Sequence, residues 1–168
     1  TLELEAQTPL SAALFIALVW GLGLGTVIAA KLWHRRSLQT LTGDRSTTLR
    51  HFAIASLTTL AIIGAISLIS LPFSERPSLN MDPTVWALFL PLGVLVIAGQ
   101  TLSEEILFRG YIQSQLAARF AHPVIWMIAP AILFGFAHYL PTLPTSAALG
   151  YVIIAAIFGL LAADLTAR

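Results

Sequence analysis

Long stretches without charged residues constrain this chain more than any other feature. No Asp, Glu, Lys or Arg occurs from Leu10 to Ala30, and the stretches 52–71 and 146–165 contain a single acid, Asp164. A helix rises 1.5 Å per residue, so about 20 apolar residues cross the roughly 30 Å hydrocarbon core of a bilayer. Charged residues make up 10% of the chain, against about 25% in soluble domains. The sequence therefore predicts an integral membrane protein.

The pattern predicts one all-α domain, a polytopic transmembrane bundle of about six helices. Residues 1–83 would contain two spans with their loops, and residues 84–168 would form the functional core. We expect a helix break at 99–103, where Ser103 would cap a new helix with Glu104 and Glu105 in its first turn. Asp82 and Pro83 fit the start of the third span. The predicted helices are 10–32, 52–71, 84–99, 104–120, 124–139 and 146–165.

The connection 31–51 sets the predicted orientation. It contains five of the nine Lys and Arg residues, and such loops face the cytoplasm by the positive-inside rule. Residues 1–9 would then lie outside, as would the connection 72–83. The net charge is only +1, so nothing indicates nucleic acid as a partner, and membrane lipid is the expected surroundings.

Three charged side chains interrupt the apolar pattern at Glu104, Glu105 and Arg109. An ionisable residue at membrane depth costs roughly 2.5–3.5 kcal/mol on insertion scales, so it needs a partner or a function. Glu105 and Arg109 are four residues apart on one helix face and can form an ion pair. Glu104 lies about 100° further round the helix and would be left to act as a general base.

His138 is the second candidate for a functional residue. A tight turn near residue 121 would join two antiparallel helices, and Glu104 and His138 are equally far from it in sequence. We therefore expect both side chains at the same depth, near the cytoplasmic end of the bundle. Asp164, near the end of the last span, is expected to be a polar residue at the outer end.

The two motifs resemble those of the CAAX protease and bacteriocin-processing family, also called the Abi family. Its E-E-x-x-x-R signature is matched by Glu104, Glu105 and Arg109, and its F-x-x-x-H signature by Phe134 and His138. The similarity covers residues 84–168 and includes the type II CAAX prenyl protease as a relative. Residues 1–83 share only their hydrophobicity with the family.

The resemblance implies an intramembrane endopeptidase that cuts a peptide or lipidated protein substrate. Glu104 would activate the attacking water, and His138 would orient that water or stabilise the oxyanion. Glu105, Arg109 and Phe134 would support the site. The implied location is the plasma membrane of a bacterium, with the site near the cytoplasmic face.

One departure from the family concerns its third motif, a histidine followed four positions later by Asn or Asp. No histidine follows His138 in this sequence, and we expect that the chain as given ends one helix before that motif. The sequence itself requires no cofactor. A divalent metal such as zinc stays open, although there is no H-E-x-x-H helix and few zinc ligands.

Two other classes of function fit a buried glutamate and histidine. A non-catalytic membrane scaffold or immunity protein could keep the fold and the motifs for binding a partner. A proton-coupled transporter also uses ionisable residues within its spans. Transporters often contain internal repeats, and none is visible here, so the endopeptidase is the leading hypothesis.

Overall fold

Apolar helices make up nearly all of the structure, a computed structural model that describes residues 8–73 and 81–168. Most of residues 1–9 and of the connection 72–83 lies outside these residues. Two segments, here named π1 (Ile106–Gln113) and π2 (Val124–Ile128), are π-helical. The α-helices are α1 (Pro9–Ala17), α2 (Trp20–His34), α3 (Gln39–Thr42), α4 (Arg45–Ser70), α5 (Pro83–Glu105), α6 (Ser114–Ala117), α7 (Ala129–Ala137) and α8 (Thr145–Ala167).

The predicted all-α transmembrane bundle is confirmed. Within the described residues, four helical stretches are long and apolar enough to cross a membrane, and a shorter apolar helix, Val124–Ala137, lies between the last two. The four long stretches are Pro9–His34, Gln39–Ser70, Pro83–Ala117 and Thr145–Ala167.

The predicted break at 99–103 is wrong. Pro83–Ala117 is one continuous helical stretch of 35 residues. Ser103 does not cap a helix, because it lies inside α5 and its hydroxyl donates to the Gly99 carbonyl at 2.7 Å. A serine can bond its own helix in this way without ending it. The acids Glu104 and Glu105 therefore gain nothing from a helix N-terminus. The start of the same helix is as expected, with Asp82 as its N-cap.

Small residues bring α2 close to α5. A Cβ atom built on Gly23 would lie 2.8 Å from the Ser103 Cα, and one built on Gly99 would overlap the Trp20 ring. The Trp20 indole also donates its N–H to the Val96 carbonyl at 3.1 Å. In a membrane, where lipid is as apolar as the side chains, such close approach and hydrogen bonding hold helices together. This contact fixes α5 against the N-terminal half.

The predicted turn near residue 121 is confirmed, since residues 118–122 join α6 to the next helix. The helix beyond it then packs tightly on α8. A Cβ atom on Gly135 would lie 2.6 Å from the Val152 carbonyl oxygen, and one on Gly159 would lie 3.2 Å from the Ala131 Cα. Glycine at these two places lets the backbones of α7 and α8 touch.

The expectation that Asp164 lies at the outer end is wrong. Arg109 bonds to the Gly159 carbonyl and Gln113 to the Ala163 carbonyl, so π1 and α8 run in the same direction. Because Pro83–Ala117 continues without reversing, α8 ends on the side of the basic connection. There Asp164 forms an ion pair with Arg168 at 2.7 Å.

Helix α4 stands apart from the bundle. None of its residues is buried, and among the described residues it contacts only α3. The two motifs lie instead on α5, π1 and α7, with His138 directly after α7.

Candidate active site

Arg109 is the buried cation around which the site is built. Its side chain is 5% exposed, and its Nη1 lies 3.0 Å from Oε1 of Glu105, which is 38% exposed. The predicted ion pair is therefore present, with the acid only half-buried. The two atoms are close but poorly aligned for a hydrogen bond, so the attraction is chiefly coulombic.

Two further contacts compensate the buried guanidinium. Its Nη2 donates to the Gly159 carbonyl at 3.5 Å, and its Cζ lies 4.6 Å from the centre of the Phe134 ring. A planar guanidinium can serve a carboxylate, a carbonyl and an aromatic face together, which an ammonium group cannot. Arg109 thus ties π1 to both α7 and α8.

Phe134 joins this cation to the predicted histidine. The ring is buried, and its centre lies 4.5 Å from that of the His138 ring and 5.1 Å from that of Phe108. The Phe108 contact is edge-to-face at 87°, an arrangement that aromatic pairs favour. Phe134 is therefore in contact with Arg109 and with His138.

His138 lies one residue beyond α7 and is half-buried. Its Nδ1 is 2.8 Å from the Phe134 carbonyl oxygen. Because a carbonyl can only accept a hydrogen bond, Nδ1 must carry the proton. The other ring nitrogen, Nε2, is then left for chemistry, as an acceptor when the ring is neutral.

The two adjacent acids have different surroundings, as their helical angle predicts. Glu105 faces Arg109, whereas Oε1 of Glu104 accepts a hydrogen bond from the neutral Gln100 amide at 3.1 Å. Glu104 is half-buried and forms no ion pair within the described part of the chain. No described cation therefore lies within ion-pair distance of its carboxylate.

The predicted antiparallel register should bring Glu104 towards His138. One helical turn from these two residues, this register is observed. Phe108 and Phe134 are also equally far from residue 121, and their rings are in contact. No ion pair joins His138 to a carboxylate among residues 8–73 and 81–168. Direct cooperation between Glu104 and His138 therefore stays a prediction.

The side chains present do not fit a catalytic zinc. Such a site takes three protein ligands, and the described residues contain no group of three His, Cys, Asp or Glu that could hold a metal. Glu105 is already paired with Arg109. No step of the mechanism proposed below uses a metal.

A cavity of about 400 Å³ reaches the Glu105–Arg109 pair from the side of the basic connection. The polar residues Thr40, Thr42 and Ser114 contribute to its wall. The cavity is lined in addition by Leu41, Thr48, Leu102, Ile106, Gly110 and Thr166. Small polar molecules such as water could therefore reach the pair without crossing the apolar bundle.

The connection between α2 and α4, assigned above only to topology, also packs on the site. Arg36 donates to the Ser114 hydroxyl at 2.8 Å, and His34 Nε2 is 2.9 Å from the Tyr111 hydroxyl. The Leu41 carbonyl lies 2.6 Å from a Cβ built on Gly110. These contacts hold α3 against π1, so at least two basic-region side chains have a structural role.

Gln113 is a buried polar residue that belongs to neither sequence motif. It is 5% exposed and donates from Nε2 to the Ala163 carbonyl at 2.9 Å. Glu105, Arg109 and Gln113 follow one another at intervals of four residues in an apolar helix. That polar stripe is a signal that sequence reasoning could have used.

Comparison with known proteins agrees with the motifs. A family model described as "Type II CAAX prenyl endopeptidase Rce1-like" matches residues 83–167, about half of the chain, including both motifs. No curated protein and no solved structure gives a significant match. The chain belongs to the Rce1-like family of type II CAAX prenyl endopeptidases.

Proposed function

We propose that this protein is an intramembrane endopeptidase that hydrolyses peptide bonds of a membrane-associated or prenylated protein. The observation that carries the proposal is the series of contacts from Glu105 through Arg109 and Phe134 to His138. It links the two family motifs, which lie on different helices, within one small region. Glu104 is adjacent to Glu105 in sequence and forms no ion pair among the described residues.

Glu104 is the proposed general base. A carboxylate whose charge is not neutralised can accept a proton from water as the water oxygen attacks the scissile carbonyl carbon. The same carboxyl group then returns the proton to the leaving nitrogen when the C–N bond breaks. Glu105 is less suited to this role because its charge is engaged by Arg109.

His138 is proposed to orient the attacking water. Its Nδ1 proton is committed to the Phe134 carbonyl, so a neutral ring offers only the lone pair on Nε2, which accepts from water. A protonated ring would instead donate from Nε2 to the developing oxyanion. The hydrogen bond at Nδ1 fixes the ring orientation in either case.

The substrate is proposed to approach from the cytoplasmic face of a bacterial plasma membrane. Glu104 lies 21 residues, roughly 32 Å, along the helix from Pro83, which is about the thickness of the hydrocarbon core. The cavity beside Glu105 opens next to the basic connection, which the positive-inside rule places in the cytoplasm. The bacterial assignment comes from the resemblance to bacteriocin-processing proteins.

The test is cleavage of prenylated and unmodified membrane-associated peptides by the protein in liposomes. Wild type is compared with Glu104→Gln and His138→Ala, and His51→Ala, an exposed histidine on α4, is the matched control. Losing a general base typically costs 10²–10⁴ in rate. We expect such a loss for both site variants, none for the control, and no effect of a chelator.

Three results would contradict the proposal or a part of it. Full cleavage by Glu104→Gln would remove that residue as the base. Binding of the peptides without cleavage by correctly folded wild type would favour a scaffold or immunity protein. Loss of cleavage on chelation would show that a metal takes part and would overturn the metal-free mechanism.

A further inference from the structure

Gln113 is buried where π1 faces α8, and only one of its two side-chain polar atoms has a hydrogen-bond partner among the described residues. Nε2 donates to the Ala163 carbonyl at 2.9 Å, whereas Oε1 is buried and has no partner among the described residues. An unpartnered buried amide oxygen is uncommon in native structures and calls for an explanation. Neither family motif includes this residue.

The bond repeats one already present a turn earlier. Arg109 donates to the Gly159 carbonyl, and four residues further along both helices Gln113 donates to the Ala163 carbonyl. Each carbonyl has a second lone pair beyond the one used inside α8. Together the two side chains form a pair of rungs between π1 and α8.

We propose that Gln113 is a positioning residue that fixes π1 against α8 and thereby sets the geometry of Glu105 and Arg109. Of the two side-chain hydrogen bonds that join π1 to α8 among the described residues, the Gln113 bond is the shorter, at 2.9 Å against 3.5 Å. Its loss would leave only the long Arg109 bond between the two helices. The proposal rests on the proposed function only for its catalytic consequence. The packing of π1 on α8 is a claim of its own.

Because Oε1 has no partner among the described residues, the effect of Gln113 on positioning can be measured apart from its effect on stability. The penalty for burying Oε1 offsets much of the gain from the Nε2 bond, so leucine at this position would serve stability about as well as glutamine. What leucine cannot supply is a directional bond. If Gln113 were purely structural, its replacement by leucine would change the thermal stability. If Gln113 is a positioning residue, the replacement would change the hydrogen exchange of π1 and the kcat of cleavage.

The π-helical conformation of residues 106–113 makes such a restraint useful. π-helices are rare and mostly short, because the α-helical pattern of hydrogen bonds is favoured. Arg109 and Gln113 both lie inside this segment. Without the Gln113 bond we expect the hydrogen bonds of π1 to open more often and the Glu105–Arg109 ion pair, at 3.0 Å, to be formed less often.

The experiment compares Gln113→Leu with Gln115→Leu, in the same helical stretch. Gln115 is half-buried and forms no side-chain hydrogen bond in the described part of the chain. Amide hydrogen exchange of residues 106–117 is measured in nanodiscs, together with thermal unfolding and the kcat and KM of peptide cleavage. For Gln113→Leu alone we expect roughly tenfold faster exchange and a kcat roughly ten- to a hundredfold lower, with KM and thermal midpoint nearly unchanged.

The readouts keep the two proposals apart. Unchanged exchange in Gln113→Leu, or equal acceleration in both variants, would overturn the positioning role whatever the activity does. Faster exchange with unchanged kcat would overturn its catalytic consequence. If wild type cleaves no peptide, the proposed function fails, and exchange alone decides whether Gln113 fixes π1.

Discussion

Gly135→Ala should separate α7 from α8. The new Cβ would lie 2.6 Å from the Val152 carbonyl oxygen and 2.8 Å from the Ala156 Cβ, where ordinary contacts begin at 3.4 Å. Both neighbours are backbone or directly attached to it, so neither can rotate away. Relief of the clash requires the helices to move apart by about 0.8 Å, and overpacking of this kind costs about 1–3 kcal/mol.

Gly150→Ala is the matched control, because Gly150 lies in α8 with nothing within 4 Å of its Cβ position. Replacing helical glycine by alanine also brings a gain of up to about 1 kcal/mol, and that gain is common to both variants. We therefore expect Gly135→Ala to be less stable than Gly150→Ala by about 1–3 kcal/mol in reversible unfolding in detergent micelles. Equal stability of the two variants would refute the packing of α7 on α8.

Other predictions concern the start of α5 and the buried cation. Hydrogen bonds from the Thr84 and Val85 backbone N–H groups lower the pKa of Asp82 below its usual 3.8. The ionised Asp82 cap therefore stabilises the protein above the unfolded-state pKa, and this stabilisation is lost as the pH falls through the folded-state pKa. The difference in thermal midpoint between wild type and Asp82→Ala should shrink below about pH 4. The difference between Asp82→Asn and Asp82→Ala should not change with pH, because asparagine does not titrate. Arg109→Lys should cost about 1–3 kcal/mol, because an ammonium group cannot serve Glu105, Gly159 and the Phe134 ring together; stability equal to wild type would contradict the geometry.

The sequence was sufficient for the local features of the site. Helical spacing alone predicts the Glu105–Arg109 ion pair, and the turn near residue 121 predicts the register that Phe108 and Phe134 display. The first prediction needs only the spacing of residues along one helix. The second needs only the number of residues on each side of one interhelical turn. The different neighbours of Glu104 also follow from its angle on the helix.

Features that depend on distant parts of the chain could not be predicted in this way. Ser103 is a good capping residue in isolation, but Gly23 packs on it and its hydroxyl bonds inside the helix, so α5 continues. That continuity reverses the expected direction of α8 and brings Asp164 to the opposite end. The π-helical geometry of residues 106–113 has no signal in the sequence that we could identify.

The most direct test of the central claim compares the two adjacent acids in one cleavage assay. Glu104→Gln removes the proposed base and leaves the Glu105–Arg109 pair, whereas Glu105→Gln leaves the base and removes the partner of the buried cation. The account predicts that Glu104→Gln unfolds like wild type but cleaves about 10²–10⁴ times more slowly. For Glu105→Gln it predicts that the main effect is a loss of stability. Normal cleavage by a folded Glu104→Gln protein would contradict the account.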